Sequence, residues 1–155
     1  MGTSGVPVDL THSQMQEILS QMRTATFEAA LSHPLELHGF IQAGLPVNVV
    51  AHIAAGLGLR VDEFAALCGM SRATFHRKKT AKAKLGRLES DLVARYASLL
   101  KHATTVFADA EAAGNWLREK QIGLGGAVPI ELAQTTQGYQ EVEKLLTRID
   151  YSVYA

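Results

Sequence analysis

The chain has 155 residues, a length that suits one domain or two small domains sharing a core. Its formal net charge is +0, and 47% of its residues are hydrophobic. The single cysteine, Cys68, excludes an internal disulfide, and the sequence shows neither a secretory leader nor an apolar run near the ~20 residues that cross a bilayer. We therefore expect a cytoplasmic protein without a membrane-spanning segment.

Recurrent Ala and Leu, with apolar residues at helical spacing, predict an all-α fold. Thr11 and Gln14 have the spacing of a capping box, which marks the start of the first helix. Glycines, prolines and capping residues divide the rest of the chain. The predicted helices cover about 11–31, 35–43, 46–57 (closed by Gly56 and Gly58), 61–68, a helix opening at 71, 88–107, 109–120, a short helix from 129, and 135–149, followed by a tail over 150–155.

The segment from Phe64 to Phe75 has the features of a helix-turn-helix. Ala65 stands four residues before Gly69, which gives a small residue at the helix crossing and a glycine in the turn. Ser71 is placed to cap the second helix, and Phe75 is placed to anchor it in the core. The sequence therefore predicts that this second helix reads DNA.

The charge distribution supports the same prediction. No acidic residue occurs between Glu63 and Glu89, while basic residues are frequent there. The predicted DNA-contacting residues are Ser71, Arg72, Thr74, His76, Arg77, Lys78, Lys79 and Lys82. Lys78 departs from the motif, which usually has an apolar residue three positions after the anchor. The alternative interpretation is a solvated basic face on an ordinary helix pair.

The sequence offers no convincing enzyme site. The Gly-rich segment over 123–126 lacks the preceding strand and the lysine of a phosphate-binding loop, and the six histidines lack metal-ligand spacing. Cys68 falls on the predicted buried side of a helix, which disfavours a nucleophile. We expect no catalytic residue, no metal and no cofactor.

The C-terminal third carries several short motifs in a defined order. These are Asn115-Trp116-Leu117-Arg118, the segment from Gly123 to Leu132, Thr135-Thr136-Gln137-Gly138, and Leu146 to Tyr151. From about residue 107 to 155 this pattern resembles the toxin-binding domain of the Xre/MbcA/ParS antitoxins, and the region from about 44 resembles the Xre-type helix-turn-helix that precedes it. Ser152 departs from the glycine that is common after the tyrosine.

We expect three regions: an N-terminal helical region over 1–43, a helix-turn-helix DNA-binding domain over 44–106 and a toxin-binding domain over 107–155, with the long predicted helix joining the last two. The resemblance implies the second and third of these regions. It implies that toxin binding falls to Trp116, Leu124, Gly125, Gly126, Pro129, Arg148, Tyr151, Tyr154 and Ala155. The residue type and position of Trp116 also favour a place in the core of the small domain.

The function that the resemblance implies is that of a type II antitoxin. Such a protein binds a RES-domain toxin, which degrades NAD or uses it for ADP-ribosylation, and represses its own operon by binding operator DNA. We expect a homodimer within a larger toxin–antitoxin hetero-oligomer. Tyr154 and the carboxylate of Ala155 are predicted to obstruct NAD access, with Trp116, Leu124 and Pro129 behind them. The alternatives are a stand-alone transcriptional regulator with a C-terminal dimerisation domain and a partitioning scaffold built from the same modules.

Overall fold

A computed structural model describes residues 11–153, apart from the side chains of residues 13, 16–21, 23 and 153, and the regular elements in this part of the chain are all helical. The α-helices are α1 (His12–Ala30), α2 (Pro34–Ala43), α3 (Asn48–Leu57), α4 (Val61–Leu67), α5 (Arg72–Ala81), α6 (Arg87–Phe107), α7 (Ala110–Arg118), α8 (Pro129–Leu132) and α9 (Thr136–Val153), with a 3-10 turn over Ile122–Leu124. The predicted all-α fold is confirmed. Among these helices none is long and apolar enough to cross a membrane.

Side-chain caps start several of the helices, because the first-turn N–H groups of a helix have no partner within it. The capping pairs are Thr11 with Gln14, Ser71 with Thr74, Asp109 with Glu111, and Thr135 with Gly138. Gly58 adopts a left-handed φ of 70° and ends α3 as predicted. These helix boundaries therefore follow from local sequence.

Helix α6 is the central element and packs against α2, α3, α7 and α9. Its Tyr96 is fully buried, and its ring meets that of Phe64 edge-on with centroids 5.4 Å apart. The largest fully buried side chains come from both halves of the chain: Tyr96, Phe27, Phe64, Leu45, Leu57, Leu99, Leu117 and Leu146. The two halves thus share one hydrophobic core.

Helices α3 and α7 approach closely because small residues meet at their contact. A Cβ atom on Gly114 would lie only 3.2 Å from the backbone oxygen of Gly56. Gly56 lies inside α3, so the prediction that it helps to close this helix was wrong. A Cβ atom on Gly56 would lie 2.5 Å from Leu100 Cδ2 of α6, which explains why a glycine occupies this position in the helix interior.

The start of α3 also differs from the prediction. Pro46 precedes the helix and forms an isolated antiparallel bridge with Lys84, and Leu85 N donates to Leu45 O at 2.8 Å. Helix α3 begins at Asn48 instead. Pairing with a distant segment has overridden the local preference of proline for a first helical turn.

The predicted tail from Asp150 is a further error. Helix α9 continues to Val153, and Tyr151 therefore lies in its last turn. Ser152 sits in this helix, where no positive φ is needed, and its hydroxyl donates to Ile149 O at 2.7 Å. Tyr154 and Ala155 lie outside the described residues.

Candidate DNA-binding and partner-binding surfaces

Helices α4 and α5 adopt the predicted helix-turn-helix arrangement. Gly69 has a φ of 79° in the turn, a conformation that favours glycine. Ala65 is fully buried at the crossing, and Phe75 anchors α5 with 6% of its surface exposed. Ser71 Oγ accepts from Thr74 N at 3.1 Å and so caps α5.

Burial of Phe75 turns the basic side of α5 towards solvent. The exposed residues of the predicted set are Ser71, Arg72, His76, Arg77, Lys79 and Lys82. Thr74 is half-buried, and its Oγ1 accepts from the Ser71 hydroxyl at 2.9 Å. Among the side chains that the structure describes, no ion pair involves the arginines or lysines of that exposed set. Exposed, unpaired cations of this kind can neutralise DNA phosphates.

Lys78 differs from its neighbours because it turns towards the protein. Its Nζ lies 3.5 Å from Glu89 Oε2, and each of the two side chains is 22% exposed. The same carboxylate oxygen accepts from Gly86 N at 2.9 Å at the start of α6. This contact joins the end of α5 to the start of α6. A contact between Lys78 and DNA stays a prediction, and the ion pair competes with it.

Cys68 is buried beside the turn of the motif. Burial, and secondarily the charge of Glu89, raise the pKa of its thiol from 9.0 to about 12. A thiol that keeps its proton is a poor nucleophile, which agrees with a packing role. The described residues also contain no group of three or more potential metal ligands.

In the C-terminal domain, three residues of the predicted toxin-binding set are partly or fully buried. Trp116 is half-buried, and its ring centroid is 5.6 Å from that of Phe107. Pro129 is buried, and Leu124 packs against the core while half-buried. The core position favoured for Trp116 agrees with this packing. These three residues support the surface rather than form its outermost layer.

The loop between α7 and α8 is closed by Gln121. Its backbone N donates to Ala127 O at 3.0 Å, its carbonyl accepts from Gly126 N at 2.9 Å, and its side-chain Nε2 donates to Trp116 O at 2.9 Å. Gly125 and Gly126 have φ values of 67° and 84°, and a Cβ atom on either would meet nothing within 4 Å. Glycine is therefore favoured at both positions by the positive φ and not by a clash that a side chain would make.

Ile122 stands in this loop and is 97% exposed. It is not among the residues predicted from the sequence. The following residue, Gly123, packs so tightly that a Cβ atom there would lie 2.8 Å from Leu145 Cδ1 on α9. A β-branched residue directly before a Gly-rich loop is the sequence signal that could have drawn attention to Ile122.

The outer face of α9 carries the remaining predicted residues. Arg148 is exposed, and Tyr151 is 73% exposed. On the same face, one and two turns earlier, Lys144 and Glu141 form an ion pair of 2.9 Å, which lowers the pKa of the Glu141 carboxyl. The structure thus brings Arg148 and Tyr151 to one exposed face.

Polar contacts, one buried and two partly buried, hold the C-terminal domain on α6. The Tyr96 hydroxyl donates to Ile130 O at 2.7 Å, and His102 Nδ1 lies 2.7 Å from Glu143 Oε2. The Arg95 guanidinium donates to Ala133 O at 3.1 Å. These contacts bridge 34 to 41 residues of sequence, so local patterns did not predict them.

Two family models match the chain. Residues 36–98 match the antitoxin Xre-like helix-turn-helix domain, and residues 102–151 match the antitoxin Xre/MbcA/ParS C-terminal toxin-binding domain. The exposed cations of α5 lie in the first match. Ile122 and the α9 face with Arg148 and Tyr151 lie in the second.

Two curated relatives, each named Antitoxin Xre, are similar to the chain over most of its length. The protein from Photorhabdus laumondii subsp. laumondii is 26% identical over 118 residues, which are 76% of this chain and 80% of the relative. The protein from Yersinia enterocolitica serotype O:8 is 26% identical over 116 residues, which are 74% of this chain and 78% of the relative. With both domains matched in the order of the predicted architecture, the chain belongs to the Xre/MbcA/ParS family of antitoxins.

Proposed function

We propose that this chain is the antitoxin of a type II system that neutralises a RES-domain toxin, which degrades NAD or uses it for ADP-ribosylation, and that it represses its own operon. The observation that carries the proposal is the presence of both matched domains, with their exposed surfaces on different helices. The choice of a RES toxin rests on the family resemblance alone.

Helix α5 is the element that enters the major groove of the operator DNA. Arg72, in the first turn of α5, reaches base edges, because the start of a recognition helix makes such contacts in this motif. Arg77 and Lys79, exposed and unpaired further along α5, contact phosphates. A homodimer would present two such helices to two half-sites about 34–36 Å apart.

The toxin-binding part of the proposal assigns neutralisation to the C-terminal domain. The packed side chains of Trp116 and Pro129 support a surface on which Arg148 and Tyr151 are exposed. Large aromatic and arginine side chains supply much of the binding energy of protein interfaces. We propose that the chain beyond α9, with Tyr154 and Ala155, obstructs NAD access to the toxin.

Coexpression with the product of the adjacent reading frame tests both parts. The wild-type chain should rescue growth and copurify with that product, and it should repress a reporter driven by its own promoter. The double variant Arg77→Ala, Lys79→Ala should lose repression and keep rescue, because separate surfaces carry the two activities. Repression without rescue by the wild-type chain would favour the stand-alone regulator, and loss of rescue in the stably folded double variant would contradict the separation.

A further inference from the structure

Ile122 is the most exposed large hydrophobic residue among the side chains that the structure describes, at 97%. Exposure alone does not mark a binding site, because single apolar side chains are common on protein surfaces. Leu35 on α2, for example, is 87% exposed. What distinguishes Ile122 is how it is held and in which domain it lies.

The backbone around Ile122 is fixed on both sides. Its carbonyl accepts from Gly125 N at 3.0 Å, and the carbonyl of Gln121 accepts from Leu124 N at 3.0 Å. Gly123 abuts Leu145 of α9. The side chain is therefore displayed on a preorganised turn, and little backbone entropy would be lost when a partner covers it.

The position of Ile122 also points to the class of its partner. It lies within residues 102–151, which match a toxin-binding domain, and its turn packs on the same helix that presents Arg148 and Tyr151. An exposed apolar side chain on a turn that packs against the helix carrying an exposed arginine and an exposed tyrosine supplies the residue types that are common in protein interfaces. Because the turn and these two residues share helix α9, the same partner is favoured for all three side chains.

We propose that Ile122 is the apolar anchor of the toxin interface and inserts into a hydrophobic pocket of the toxin. This inference rests on the proposed function, because it requires that the C-terminal domain binds a toxin. Burial of an isoleucine that is almost fully exposed in the free chain releases much of its apolar surface from water. A charge at this position would have to be desolvated in the same pocket.

The test measures the Kd of the purified full-length chain for the product of the adjacent reading frame. Ile122→Asp should weaken binding by about tenfold or more, whereas Ile122→Leu should keep the Kd within about threefold. Leu35→Asp is the matched control, because it places the same charge at another exposed apolar position outside the toxin-binding match, and its Kd should not change. Thermal unfolding and circular dichroism of each variant report on folding, and Ile122→Ser provides an uncharged second variant, which should also weaken binding.

Several results would overturn the proposal. Equal binding by Ile122→Asp and the wild-type chain would refute the anchor while leaving the proposed function intact. Failure of the wild-type chain to bind the neighbouring product would refute the proposed function and the anchor with it. A change in the oligomeric state of the free chain on Ile122→Asp, measured by light scattering with unchanged toxin binding, would assign Ile122 to a second copy instead.

Discussion

Three consecutive basic residues of α5 differ in their environment, and this difference predicts how each contributes to DNA binding. Arg77 and Lys79 are exposed and unpaired, whereas the Lys78 ammonium lies 3.5 Å from Glu89 with both side chains 22% exposed. Each phosphate contact adds about 0.9 to the slope of log K against log salt. Arg77→Ala and Lys79→Ala should therefore each lower this slope by about 0.9 per bound chain, and Lys78→Ala should leave it nearly unchanged.

Fluorescence anisotropy with a labelled duplex of the chain's own promoter region can measure these slopes. When the salt concentration rises from 50 to 200 mM, the affinity of a variant that lacks one phosphate contact should fall about 3.5-fold less than the affinity of the wild-type chain. Lys120→Ala, an exposed lysine after α7, is the control and should not change the slope. Lys78→Ala should instead lower the free energy of unfolding by about 1 kcal/mol or less, because it removes a partly buried ion pair. A slope for Lys78→Ala as low as that for Arg77→Ala would refute this division of roles.

Three further predictions concern the fold. Tyr96→Phe should lower the free energy of unfolding, measured with urea, by about 1–3 kcal/mol, because the buried carbonyl of Ile130 loses its hydrogen-bond donor. An unchanged value would show that this hydrogen bond between α6 and α8 does not stabilise the fold. Gly138→Ala should lower the free energy of unfolding by about 2 kcal/mol or more, because its Cβ atom would lie 1.9 Å from a backbone carbonyl oxygen of α8. Gly39→Ala in α2 is the control and should raise the free energy of unfolding by about 0.5–1 kcal/mol, because its Cβ atom would meet open space. Equal effects of the two variants would show that α8 and α9 move apart to accommodate the added methyl group. The free energy of unfolding should fall as the pH rises from 9 to 12, because the unfolded thiol of Cys68 loses its proton near pH 9.0 while the folded thiol has a pKa of about 12. An equal fall in the Cys68→Ala variant would refute the assignment of this pH dependence to Cys68.

The helix-turn-helix could be predicted because its determinants are local. Gly69 in the turn, Ser71 as the cap and Phe75 as the anchor all lie within one short segment, and each occupies its predicted environment. Helix starts with polar caps were predictable for the same reason. By contrast, no local stop signal marks the end of α9, and its end was placed too early.

The properties that the sequence did not predict depend on contacts between distant segments. The ion pair of Lys78 was not predicted, because its partner, Glu89, belongs to another helix. The exposure of Ile122 depends on the packing of Gly123 against Leu145 and on the hydrogen bonds of Gln121. Residue type and spacing do not encode such contacts, so the site is known from the sequence only as a set of candidate residues.

Under the proposed function, this chain protects the cell by binding a toxin that consumes NAD, either by degrading it or by using it for ADP-ribosylation. The most direct measurement is intracellular NAD after induction of the adjacent reading frame, with and without this chain. NAD should fall when the neighbouring product is expressed alone and should be preserved when the wild-type chain or its Arg77→Ala, Lys79→Ala variant is coexpressed. An equal fall of NAD in the presence of the wild-type chain, or no fall with the neighbouring product alone, would contradict the proposed function.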